Sequence, residues 1–107
     1  MVIVAARARV KPEARDAAIA AARDMRDASR AEPGCQEYNF WFAFDDDHEL
    51  LVFEVWDDQA ALDAHFATPH LAEFAQAIPT FVDGMPAITR YEVDAESAGP
   101  LGAPSES

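Results

Sequence analysis

Polar and apolar positions alternate at the start of the chain. In residues 2–10, VIVAARARV, Ala6, Ala8 and Val10 stand against Arg7 and Arg9, which predicts a strand. Pro12, with Glu13 beside it, then suits the first turn of a helix running to about Ala31. Its buried stripe is Ala18, Ile19, Ala22, Met25 and Ala28 or Ser29, with Arg15, Asp16, Arg23, Asp24 and Asp27 outside. A stripe of such small residues lets the helix lie close to a sheet, or leaves space beneath it. Glu32-Pro33-Gly34 stops it.

The period returns to two in residues 35–44, CQEYNFWFAF. Tyr38, Phe40, Phe42 and Phe44 fall on one face, and Glu37, Asn39, Trp41 and Ala43 on the other. Asp45-Asp46-Asp47 is the expected hairpin loop. The partner strand, about 49–56, has Leu51, Phe53 and Val55 on one face and Leu50, Val52, Glu54 and Trp56 on the other. A sheet with one wet face should alternate apolar and polar. This hairpin is largely apolar on both faces, and one short chain has helices for only one of them. A second copy of the chain is the simplest cover for the other.

Asp57 or Asp58 can cap a helix at about 58–66, with Ala61, Leu62, His65 and Phe66 inside. Thr68-Pro69 restarts a helix whose inner stripe is Leu71, Phe74, Ala75 and Ile78. Pro79 should kink or break that helix before Phe81 and Val82, and Gly84 should end the segment. Residues 86–93, PAITRYEV, read as the last strand. The order is β-α-β-β-α-β, the ferredoxin-like α+β arrangement with an antiparallel sheet. One domain over 1–93 is expected, with 94–107, poor in large apolar residues, as a disordered tail.

Composition narrows the partners. Lys and Arg number 8 against 20 Asp and Glu, a formal charge of −12, which argues against a nucleic-acid surface and an anionic membrane. The one cysteine, Cys35, allows no internal disulfide and suits a reducing compartment. No signal peptide or membrane-spanning run is read in the sequence, so a cytoplasmic location is expected.

Glu54, Trp56 and His65 bring a carboxylate, an indole and an imidazole within a dozen residues of an apolar stretch. Elements this short can fold back so that the three line one cavity. His70 is five residues past His65, beyond a proline, so the pair does not share a helix face and no metal site is expected. Asp45–Asp47 lacks the spacing and glycine of a calcium loop. Cys35 is read as a buried small apolar residue, and His48 as part of a solvated turn.

Taken together, "VKPE" after the first strand, "AEPGCQEY", "FEVWDDQAALDAHFATPHLAEF" and a closing "ITRYEV" resemble the antibiotic biosynthesis monooxygenase domain. The resemblance covers about residues 1–93. It implies a homodimeric α+β barrel in which two sheets face each other, with a pocket between sheet and helices in each subunit. Family members include cofactor-independent monooxygenases of quinols and polycyclic phenols, haem-degrading enzymes and an isomerase. The haem-degrading branch uses an Asn on the first strand, and residues 2–10 contain none.

The resemblance points to oxidation of a small aromatic quinol or polyphenol by O2, without cofactor or metal. His65 is then the base, or else a core histidine hydrogen-bonded for structure. Tyr38 or Asn39, on opposite strand faces, can donate to a substrate oxygen. Trp56 stacks on the substrate or only packs. Glu54 orients His65 or binds substrate, or else pairs with Arg7 or Arg90. Phe40, Phe66 and Phe74 form core or pocket wall, and His70 lies at the pocket or at the solvent edge. Two other readings stand beside this one: a non-catalytic dimeric binding or stress-response module, and an isomerase or lyase on the same fold.

Overall fold

The computed structural model describes residues 1–102. Four strands form one antiparallel sheet: β1 (Val2–Val10), β2 (Cys35–Ala43), β3 (Asp46–Trp56) and β4 (Val82–Glu92), in the order β2-β3-β1-β4. A 3-10 turn, Pro12–Ala14, leads into α1 (Arg15–Arg30), and α2 (Gln59–Phe66) and α3 (Pro69–Phe81) connect β3 to β4. This is the expected ferredoxin-like α+β fold.

Strand register decides which side chains meet. Tyr38 is opposite Glu54, Glu54 opposite Val4, and Val4 opposite Arg90, so one row crosses the sheet on its helix-covered side. Asn39, Phe53, Ala5 and Thr89 form a row on the other side. The helix α1 buries Ala18, Ala22, Met25 and Ser29, with Ser29 rather than Ala28 completing the stripe. Under the helices lie two apolar clusters. One holds Val2, Val4, Met25, Tyr38, Trp56 and Leu62, the other Val10, Ala18, Leu50, Phe81 and Val82.

Three boundaries differ from expectation. The β2–β3 turn is shorter, because β3 already begins at Asp46, and this leaves Phe44 fully exposed in the turn rather than on the Tyr38 face. Pro79 does not break α3, which continues to Phe81. Pro79 removes one backbone donor and crowds the carbonyl of Ala75 one turn back, yet the helix runs two residues past it. Gly84 does not end the segment but lies inside β4 at φ 78°, where the register with β1 shifts between Arg7 and Arg9. It supplies the left-handed residue of a bulge. Ala75 is exposed on α3, while Leu71, Phe74 and Ile78 are partly buried. Residues 94–102 form no strand or helix, and residues 103–107 of the expected tail lie outside the described residues. No described helix is long and apolar enough to cross a membrane.

Candidate active site

Local sequence fixes the two helices that carry the histidines. Asp58 caps α2, its Oδ1 accepting from Ala61 N at 2.8 Å. Thr68 caps α3 by accepting from Leu71 N, and its hydroxyl also donates to His65 O at 2.7 Å, with Pro69 at the first helical position. The turn after α1 is held against β3 by Asp57 N donating to Gly34 O at 2.8 Å. Gly34 has φ 83°, and a Cβ there would come within 2.6 Å of the Ala61 Cβ on α2. Only glycine lets this turn lie so near α2.

That closeness places Glu32 beside two imidazoles. Glu32 Oε2 lies 2.7 Å from His65 Nδ1 and 2.8 Å from His70 Nε2. With Glu32 ionised, His65 carries its hydrogen on Nδ1 and donates it, which leaves the Nε2 lone pair free. His65 Nε2 is 4.0 Å from Glu54 Oε1, beyond hydrogen-bond reach. Trp56 Nε1 donates to the same Glu54 oxygen at 3.0 Å. The Trp56 and His65 ring centroids are 4.6 Å apart, those of Tyr38 and His65 5.6 Å.

His65 and Glu54 border a cavity of about 250 Å³ between the sheet and α2–α3. Its walls are apolar, from Val4, Ala6 and Val52 on the sheet to Leu62, Leu71 and Phe74 on the helices. Arg7 and Arg90 also border it. Burial pushes Glu54 up to about 7, against the opposing effect of the Trp56 hydrogen bond. Burial lowers the proton affinity of His65, and the Glu32 bond partly opposes this. Burial raises the Tyr38 phenol well above its ordinary range, so it remains a neutral donor. The Cys35 thiol is only partly buried, not fully as expected, and is pushed up to about 11, so it stays protonated at neutral pH.

Of the residues singled out in the sequence, Tyr38, Phe40, Glu54, His65, Phe66 and Phe74 border this cavity. Phe66 does so while 59% exposed, outside the buried stripe of α2. Asn39 is on the opposite sheet face of the edge strand β2 and does not border this cavity; it borders a separate cleft at that edge, between α1 and β2, with Arg26 and Phe40. Trp56 is wholly buried behind Glu54 and does not border the cavity. His70 likewise stands off the cavity and meets Glu32 rather than lying free at the solvent edge. Glu54 pairs with neither arginine: Arg7 faces Glu49 at 3.8 Å, and Arg90 faces Glu92 at 2.8 Å. Sequence reasoning missed Glu32, treating it only as part of a helix stop. The one available sign was an acidic residue in a turn that a glycine holds tight.

Glu32, His65 and His70 are also a grouping of the type that holds metal ions. Their spacing is that of hydrogen bonds, however, with the carboxylate oxygen itself bridging the two rings. The residues thus fit a charge-assisted His–Glu–His bridge, which tethers one face of His65 and leaves the other toward the cavity.

Comparison with known proteins bears on the family and the fold. The family model for antibiotic biosynthesis monooxygenases matches residues 1–77. An uncharacterised Synechocystis protein, sll1783, is 37% identical over 92 residues, covering 86% of this chain and 63% of that protein, so the chain spans less than two thirds of this relative. YcnE of Bacillus subtilis, provisionally named a monooxygenase, is 31% identical over 74 residues, covering 69% of this chain and 78% of that one. Rv0793 of Mycobacterium tuberculosis, also provisionally named a monooxygenase, is 33% identical over 88 residues, covering 82% and 86% of the two chains. The solved structure of Rv0793 superposes with a TM-score of 0.84 over 91% of this chain and 98% of that one, at 31% identity. The chain belongs to the antibiotic biosynthesis monooxygenase family.

Proposed function

We infer that the protein is a monooxygenase that oxidises a quinol or polyphenol with O2, without a cofactor, using His65 as base. The observation that carries this reading is a buried imidazole at the edge of an apolar cavity, tethered at Nδ1 and free at Nε2. A phenolic oxygen about 2.8 Å from both His65 Nε2 and Glu54 Oε1 fits the gap between them, seeing the two at roughly a right angle. It gives its proton to Nε2. Glu54, when protonated, donates to the same oxygen.

The phenolate is electron-rich enough to react with O2 directly. A ring carbon forms a bond to oxygen, and the O–O bond then breaks. One oxygen stays as the new carbonyl as that carbon gives up its hydrogen; the other leaves as water, made with this hydrogen and the proton held by His65. Phenol plus O2 gives quinone plus water, which balances with no outside reductant. Apolar walls shield the reactive intermediates from water.

The test is O2 uptake and product analysis with a panel of hydroquinones and polycyclic phenols, for wild type and His65→Ala. The expected result is a loss of at least about 100-fold in kcat for the variant. Equal rates would remove His65 from the mechanism. Product formed equally well under anaerobic conditions would replace oxygenation with isomerisation or elimination. Tight binding of an aromatic ligand with no turnover would favour a binding module.

A further inference from the structure

One carboxylate oxygen, Glu32 Oε2, holds two rings in very different surroundings. The His65 side chain is 1% exposed and borders the cavity; the His70 side chain is 27% exposed and does not. The three residues come from the turn after α1, from α2 and from α3. Thr68 fixes the spacing of the two rings, because its hydroxyl ties the start of α3 to the His65 carbonyl.

We propose that His70 is a positioning residue that acts through Glu32 to set how tightly His65 holds a proton at Nε2. The proposal rests on the reading of His65 as base. A carboxylate oxygen that accepts two hydrogen bonds divides its charge between them. Removing the outer donor leaves the full charge for His65, whose imidazolium form is then better stabilised and whose proton is given up less readily. His70 also carries that influence outward, since its ring reaches solvent and the His65 ring does not. The other polar groups around His65 are Glu54 from β3, the neutral Tyr38 from β2, and the Cys35 thiol near Glu32. Arg30, at the end of α1, is turned to the Tyr38 carbonyl. None of these bonds His70. A charged His70 also opposes an imidazolium at His65 directly, and a neutral donor in its place separates that effect from the one carried by Glu32.

The test compares His70→Leu, which lacks a donor, with His70→Gln, whose side-chain amide nitrogen can take the place of Nε2–H. Two readouts are followed against pH in the intact chain: the 15N ring signals of His65, and kcat/KM for O2 uptake. In His70→Leu the His65 midpoint should rise by about half a unit or more. The acid limb of kcat/KM should move with it, and KM should stay near wild type. His70→Gln should restore both. If His70→Leu does not fold, His70→Asn, too short to reach Glu32, takes its place. A His65 midpoint unchanged in the donor-less variant overturns the proposal, as does a metal ion ligated by both rings in the isolated protein. A midpoint that moves while kcat/KM ignores it upholds the coupling and removes His65 as the base.

Discussion

Glu32 Oε2 and His65 Nδ1 lie 2.7 Å apart although 33 positions separate them in the chain. The carboxylate accepts from Nδ1 and so decides which nitrogen of His65 is bare. Glu32→Gln keeps the size and an acceptor oxygen but removes the charge that stabilises an imidazolium. We expect kcat to fall about 10-fold or more, because general-base catalysis depends on the basicity so lost. KM should change little, as Glu32 does not border the cavity. Steady-state O2 uptake measures both, and an unchanged kcat would detach Glu32 from the chemistry.

Glu54 makes stability depend on pH. Its carboxyl is raised from an ordinary 4.5 to about 7, so between those values the folded chain holds a proton that the unfolded chain has lost. The associated stability is fully present below about pH 4.5, fades as pH rises toward 7 and is gone above it. His65, lowered by burial, acts in the opposite sense, since its contribution is lost as pH falls below its ordinary 6.5. Glu54→Gln removes the first effect and keeps the second. The variant should therefore gain on wild type as pH rises from 4.5 to 7.5, by about 3 kcal/mol at most. Urea titrations at a series of pH values measure the difference; parallel profiles for the two proteins would contradict it.

Much of this was legible in the sequence because it is periodic. Alternation gave the strands, and the Asp58 and Thr68-Pro69 signals placed the helix starts that the structure contains. His65 fell on the inner stripe because it lies three residues past Leu62, one helical turn further along. Periodicity could not say which face of β2 the helices cover, so Tyr38 and Asn39 stayed equivalent until register with β3 separated them. Glu32 was invisible for a different reason. It sits in a turn, where no repeat predicts a side-chain direction, and its partners come from elements far along the chain.

Gly34 sets the distance between that turn and α2. Gly34→Ala meets two costs at once, a left-handed φ of 83° and a Cβ contact of 2.6 Å with Ala61. Backbone strain alone is worth about 1 kcal/mol or more, and the clash adds to it. We expect a loss of at least about 2 kcal/mol in a denaturant titration. The Glu32–His65 bond should open as well, visible as a change in the His65 ring nitrogen signals. Combining the change with Ala61→Gly should recover the part due to the clash and leave the part due to φ.

The sheet face away from the helices carries the partly buried Ile3, Ala5, Leu51 and Phe53 on its two middle strands, with Val55 already buried in the single chain. Trp41 and Tyr91, 44% and 51% exposed, lie toward its edges on β2 and β4. No element of the described chain covers this face, because α1, α2 and α3 all pack on the Tyr38 side. An apolar surface of this extent on a chain carrying a net charge of −12 calls for a partner. A second copy meeting it sheet to sheet would bury like against like. Sedimentation should give twice the 11.7 kDa chain mass at micromolar concentration. Phe53→Asp places a charge at the middle of the face, opposite Ala5 and remote from the cavity lining, and should shift the protein toward monomer. A wild-type chain that stays monomeric at those concentrations would leave the apolar outer face to a different partner.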